Sequence, residues 1–160
     1  MTTPQQQLAQ ELAAAADAAA SVEELMTLIV RRLQECLSYY NWVGFYMIEK
    51  STNGGEPMLV LGPYVGAPTP HTRIPLDQGI CGAAASSGRT VIVDDVNADP
   101  RYLACSLETK SEIVAPIRVN GEVVGELDID SHTAAAFQAD NRQLVEHCAR
   151  LVGLYLEKTA

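Results

Sequence analysis

The sequence predicts an α+β fold: an antiparallel sheet with N- and C-terminal helices packed on one face. Three observations carry that expectation. Apolar stripes at helical spacing stand at both ends of the chain, β-branched and aromatic runs fill the middle, and Asn120-Gly121 separates two such runs at hairpin spacing.

Each element has its own warrant. Residues 4–19 are rich in Ala, Gln and Leu and read as a helix. Ser21 and Glu24 have capping-box spacing and open a second helix, whose stripe is Leu25, Met26, Ile29, Val30, Leu33 and Leu37. Cys36 lies beside that stripe and is assigned to packing. "NWVGFYMIE" (41–49) and "MLVLGPY" (58–64) read as strands around the turn chemistry of "STNGGEP". "VGAPTPHTR" (65–73) is a loop, and "GICGAAASSG" (79–88) is a short helix of small residues closed by Gly88. A strand at 90–96 leads into a long irregular segment, 97–110. "EIVAPIRV" and "EVVGELDID" form the hairpin. Asp140 and Gln143 open a last helix whose stripe is Leu144, Val145, Cys148, Leu151, Val152 and Tyr155. Cys148 therefore belongs to the core. A chain of 160 residues with no internal repeat suits one domain over 1–160, with the helix at about 4–19 at its periphery.

Composition narrows the function classes. The formal net charge is −9, from 20 acidic and 11 basic residues, which opposes phosphate backbones and anionic membrane surfaces. Neither nucleic acid nor a membrane is expected as a partner. The N-terminal stretch lacks a signal-peptide pattern, so a cytoplasmic location is expected. There, four cysteines point to free, catalytic or metal-bound thiols before structural disulfides; with no C-x-x-C pair, no metal site is predicted.

Two cysteines remain once Cys36 and Cys148 are set aside. Cys81 stands between glycines in "QGICGAA", and Cys105 stands in the irregular segment, where a thiol is reachable. Spacing alone leaves open whether either reacts or merely fills space. "LDIDS" sets Asp128 and Asp130 on one face of a strand, a like-charge pair that needs solvent, a cation or a ligand. Glu112, near the far end of the same hairpin, is a third candidate. A plain two-residue turn would set Glu112 opposite Ile129 and off their face; a one-residue bulge would bring it round. Pro116 inside that strand favours an irregular or edge strand.

Together "NWVGFY", "LVLGPY", "RIPLDQGICGAA", "ACSLETKSEIVAPI", "NGEVVGELDIDS" and the "FQADN" helix start resemble the free methionine-(R)-sulfoxide reductases, a family with a GAF fold. The match runs over about residues 20–156. The resemblance implies that a cysteine thiolate attacks the sulfoxide sulfur, that methionine leaves, and that a sulfenic acid is resolved by a second thiol to a disulfide. By motif, Cys105 matches the attacking cysteine and Glu112, Asp128 and Asp130 match acidic residues around the sulfoxide and amino groups. Trp42 and Tyr46 match the aromatics around the methyl end. Many members carry a cysteine ten residues before the position of Cys81. Here that position is His71, which leaves Cys81 to bridge Cys105. The residues before and after Cys105, Arg101-Tyr102 and Ser106, also depart from the family's usual Gly-His and acidic residue. For His71 itself the bland reading, an exposed loop residue, precedes those of thiol partner and metal ligand.

The expected function is reduction of free methionine sulfoxide with no bound cofactor, an external thioredoxin-like reductant, and a homodimer as one assembly state. Two other classes compete: a ligand-binding sensor that keeps the pocket without turnover, and a redox-sensing module that reports oxidant through Cys81 and Cys105. The set of Glu112, Asp128, Asp130, Trp42 and Tyr46 favours the enzyme.

Overall fold

In the computed structural model, residues 1–50, 54–103 and 107–160 are described. The helices are α1 (Thr3–Ala18), α2 (Val22–Cys36), α3 (Gly79–Ser87) and α4 (Ala139–Thr159). The strands are β1 (Trp42–Glu49), β2 (Met58–Val65), β3 (Arg73–Pro75), β4 (Val91–Val93), β5 (Ser111–Val119) and β6 (Glu122–Ser131). They form one six-stranded sheet in the order β3-β2-β1-β6-β5-β4, and every neighbouring pair is antiparallel. The expected α+β architecture is what the chain adopts. The short strand β3 begins at the last residue of the expected loop 65–73, and the 3-10 turn Val96–Ala98 spans the end of the expected strand 90–96 and the start of the irregular segment. Both are too short to show a period.

The two sheet faces do different work. Val43 and Phe45 of β1, Ile113, Ala115 and Ile117 of β5, and Leu127 and Ile129 of β6 point into the main core with α1, α2 and α4. The predicted α2 stripe is buried there in full, as are Leu144, Val145, Cys148 and Val152 of α4. Cys36 differs from expectation: it is exposed, at the last residue of α2 and off the buried arc. Nor is α1 peripheral, because Leu8, Ala9 and Leu12 are buried in this core. Its N-terminus carries a complete capping box that the sequence reading passed over: Thr2 Oγ1 accepts from Gln5 N at 3.3 Å and Gln5 Oε1 accepts from Thr2 N at 2.9 Å. At α2, Ser21 Oγ accepts from Glu24 N at 3.1 Å, but the Glu24 carboxylate reaches back to Ala20 N at 2.6 Å instead of Ser21.

On the second face a smaller cluster packs under α3. It contains Trp42, Tyr46, Leu59, Ile74, Ile80, Cys81, Ala84 and Val114. Hairpin register decides what else points there. Val119 faces Glu122 across Asn120 and Gly121, both at positive φ (51° and 84°) as a type I′ turn requires. Arg118 faces Val123, but Ile117 faces Gly125, so Val124 is an extra residue on β6. Beyond that bulge Pro116 faces Glu126, Val114 faces Asp128, and Glu112 faces Asp130. The regular register would have paired Glu112 with Ile129. Pro116, which has no N–H to donate, sits past the short reach of β4, where the outer edge of β5 has no strand beside it.

Gly125 makes this arrangement possible. A Cβ there would lie 2.5 Å from Met47 Sδ and 2.6 Å from the Tyr46 carbonyl oxygen. The expected outcome is that Gly125→Ala destabilises the fold by about 2 kcal/mol or more. Gly121→Ala, whose Cβ meets open space and carries only backbone strain, should cost less. Denaturant unfolding of both variants checks the order.

Candidate active site

The second sheet face is where polar groups are buried without solvent. On β6, Glu126, Asp128 and Asp130 recur at alternate positions, and all three are buried, Glu126 completely. Glu112 joins them from β5 through the bulge. From the other side, β1 contributes Trp42 opposite Asp130, Gly44 opposite Asp128 and Tyr46 opposite Glu126. Cross-strand partners share a face, so three adjacent strands converge here. Above them α3 brings Cys81 in its first turn, and the thiol donates to Asp128 Oδ2 at 3.3 Å.

Aromatic walls close one side. Trp42 and Tyr46 stack with centroids 6.2 Å apart and planes 29° apart, and Tyr64 also stacks on Trp42 at 5.6 Å. Trp42 Nε1 donates to the Ala67 carbonyl at 3.1 Å, and the Tyr46 hydroxyl donates to the His71 carbonyl at 2.7 Å. Both bonds tie the loop over 66–72 to the sheet. Gly44 is required beneath the indole, because a Cβ there would lie 2.4 Å from Trp42 Cη2 and 2.9 Å from Tyr64 Cβ.

Charge sets the chemistry. Burial raises Asp128, against hydrogen bonds with Glu112 and Cys81 that favour its ionised form. Burial pushes Asp130 well above the usual carboxylate range; the Asp128 charge adds to the rise and a hydrogen bond with Glu112 opposes it. Glu126 also rises well above its ordinary value, by burial first and then by Asp128, partly offset by Cys81. A hydrogen bond between two carboxyl groups needs a proton on one of them, so the cluster holds protons in its resting state. Four oxygens remain without a hydrogen-bond partner among the described residues: both of Glu126, Oδ1 of Asp128 and Oδ1 of Asp130. Burial, followed by the Asp128, Glu126 and Glu112 charges, holds the Cys81 thiol well above its ordinary range. It is a thiol at rest, unsuited to be the first nucleophile. Cys148 is pushed up to about 12 by burial alone, in keeping with its place in the core.

The predicted residues thus fall as follows. Glu112, Asp128, Asp130, Trp42, Tyr46 and Cys81 come together on one face. His71 is half-buried, not an exposed loop residue, and lines a small cavity with Tyr46, Ile74, Gly79, Ile80, Cys81, Leu103, Glu112 and Asp128. That cavity leaves ≈ 20 Å³ open to the centre of a water-sized sphere, room for about one water. Cys105 lies outside the described residues. Two residues escaped the sequence reading. Glu126 was legible as the third member of the alternation E-L-D-I-D. Gly44 offered no signal, since its requirement arises only from the indole lying over it.

Comparison with known proteins gives this arrangement its class. A GAF domain profile matches residues 21–156, and the chain belongs to the GAF domain family. "Protein YtsP" of Bacillus subtilis (strain 168) is 41% identical over 120 residues, 74% of this chain and 71% of that protein. The free methionine-R-sulfoxide reductase of Saccharomyces cerevisiae is 42% identical over 113 residues, 70% of this chain and 61% of that protein, so the chain spans less than two thirds of that relative. The X-ray structure of free methionine-R-sulfoxide reductase from Neisseria meningitidis in complex with its substrate superposes with a TM-score of 0.86. That pair is 31% identical and covers 96% of this chain and 88% of that one. Within the GAF domains, this chain belongs to the free methionine-R-sulfoxide reductases.

Burial of Glu126 has a pH signature. Its folded pKa is raised, so between its ordinary value of 4.5 and the raised value the folded state holds a proton that the unfolded chain has lost. Stability therefore falls as pH rises through that window. Glu126→Gln removes this slope: the variant is expected to be more stable than the wild type by about 1 kcal/mol or more near neutral pH, with the gain vanishing near pH 4. Thermal melts across that range check it.

Proposed function

We propose that this chain reduces free methionine-(R)-sulfoxide to methionine by cysteine redox chemistry. The observation that carries the reading is the buried convergence of Glu112, Asp128 and Asp130 beside the Trp42–Tyr46 wall, with Cys81 hydrogen-bonded into it, in a chain of this family. A free amino acid brings an ammonium group, and this patch offers carboxyl oxygens that no salt bridge reaches at Asp128 or Asp130 among the described residues. The aromatic wall suits the methyl and thioether end.

Cys105 is the attacking residue in this proposal. Its thiolate attacks the sulfoxide sulfur while a protonated carboxyl of the Glu112, Asp128 and Asp130 set gives a proton to the sulfoxide oxygen. The sulfoxide S–O bond and the new S–S bond then break as the protonated oxygen moves to Cys105 Sγ, so methionine leaves reduced and Cys105 is left as a sulfenic acid. Cys81 then attacks that sulfur; its proton passes to Asp128 and from there to the departing hydroxyl, so water leaves as the disulfide forms. An external dithiol such as a thioredoxin returns both cysteines to thiols, supplying the two electrons that the pair passed to the sulfoxide and becoming a disulfide itself. The chemistry asks for no bound cofactor. We place the protein in the cytoplasm, where such reductants keep thiols reduced; no helix in the described residues is long and apolar enough to cross a membrane. A homodimer and a single domain over 1–160 complete the proposal.

The test is thioredoxin-coupled oxidation of NADPH with the separated R and S epimers of free methionine sulfoxide and with a peptide-bound sulfoxide. Turnover is expected with the free R epimer alone. Cys105→Ser should lose at least about 10³-fold, whereas Cys36→Ser and Cys148→Ser stay near the wild-type rate. Cys81→Ser should keep its first turnover and lose recycling, with a Cys81–Cys105 disulfide absent from its mass spectrum. Normal turnover by Cys105→Ser would overturn the assignment.

A further inference from the structure

The Cys81 thiol and the carboxylates around it have a property that sulfoxide reduction does not use. The donor atoms of Cys81, Glu112 and Asp128 all lie within 4.8 Å of one another, and all three residues are buried. They line the same small cavity, whose ≈ 20 Å³ suits a single ion or water. Two further observations point to a ligand there. Asp128 Oδ1 and both oxygens of Glu126 are buried without a hydrogen-bond partner among the described residues, although a carboxylate ordinarily does not forgo partners. Glu126 also stands close enough to Cys81 for its charge to act on the thiol. No arginine or lysine forms a salt bridge with Glu126 or Asp128 among the described residues.

We infer that the reduced, substrate-free protein holds a thiophilic divalent cation of the zinc class on Cys81, Asp128 and Glu112. One edge already fits that class. On a tetrahedral zinc, with Zn–S of about 2.3 Å and Zn–O of about 2.1 Å, adjacent sulfur and oxygen ligands stand roughly 3.6 Å apart. Cys81 Sγ and Asp128 Oδ2 stand 3.3 Å apart, so a shift of a few tenths of an ångström completes that edge. One sulfur among oxygens selects a borderline cation over calcium or magnesium, which take oxygen alone. Binding is not a redox step. The S–H bond of Cys81 breaks heterolytically, its proton leaves to solvent, and a sulfur–metal bond forms. The cation is an occupant of the resting site and not a cofactor of the reaction. It occupies the oxygens proposed for the substrate and ties up the thiol proposed to resolve Cys105, so it locks the reduced enzyme.

Cobalt(II) makes the site visible, because a thiolate ligand gives a charge-transfer band in the near ultraviolet. The reduced, chelator-stripped full chain, kept free of oxygen and of substrate, is titrated with Co²⁺ and then with Zn²⁺. The expected result is a band that saturates at about one equivalent and is bleached by zinc. Cys81→Ser and Cys81→Ala should abolish it, and Asp128→Asn should weaken cobalt affinity about tenfold or more. Cys36→Ser and Cys105→Ser should retain it, which separates this site from the exposed cysteine and from the proposed nucleophile. Circular dichroism confirms that each variant is folded, and the two Cys81 variants back each other if one is not. A band that survives loss of Cys81, a band that disappears with Cys36 or Cys105, or no band at all overturns the inference. None of these readings depends on turnover, so they stand apart from the test of the reductase activity.

Discussion

Four carboxyl groups and a thiol share one buried patch, and no salt bridge reaches Glu126, Asp128 or Asp130 within the described residues. Isolated charges in such a place are costly, so burial favours the protonated forms of Glu126, Asp128 and Asp130 while hydrogen bonds with Glu112 and Cys81 oppose it at the aspartates. That state is stable only while nothing positive arrives. An ammonium group or a metal cation changes the balance at once, because it stabilises the ionised forms that burial disfavours. The site is therefore built to answer cations, and the free amino group of an amino acid is the cation that the proposed reaction supplies.

The rest of the fold supplies what that patch demands. Stability comes from the opposite sheet face, where α1, α2 and α4 bury an uninterrupted apolar layer on Val43, Phe45, Ile113, Ile117, Leu127 and Ile129. Alternation along the strands then frees the second face for polar side chains without touching that core. The bulge at Val124 shifts β5 by one residue and turns Glu112 from the core side to the acidic side. Two close approaches lock the result. Gly125 lets β6 lie against the Tyr46 and Met47 positions of β1, and Gly44 lets the indole of Trp42 lie flat over the sheet. A site of this kind stands on rigid strands, which suits groups that must stay desolvated and aligned.

Much of this was legible in the residues. Helical stripes located α2 and α4, Asn120-Gly121 located the hairpin, and "LDIDS" put Asp128 and Asp130 on one face because a strand repeats every two residues. The same period would have added Glu126. The motif resemblance singles out Trp42, Tyr46 and Glu112 from the sequence alone. What stayed hidden was set by tertiary contact. Helical spacing places Cys36 beside a stripe but cannot say where the buried arc ends, and it is exposed. His71 reads as loop, yet its backbone carbonyl receives the Tyr46 hydroxyl and its residue lines the cavity. A bulge is a local exception to alternation, so the pairing of Glu112 with Asp130 required the structure.

The central claim is that a cation from the substrate replaces protons held by the buried carboxyls. Calorimetry measures it directly. Free methionine sulfoxide is titrated into the Cys105→Ser protein, which should bind without turning over, in buffers of different ionisation enthalpy at one neutral pH. Release of about one proton per ligand bound is expected, seen as a binding enthalpy that varies linearly with the buffer's ionisation enthalpy. A binding enthalpy that is the same in every buffer would mean that the carboxyls are already ionised, and would contradict the account.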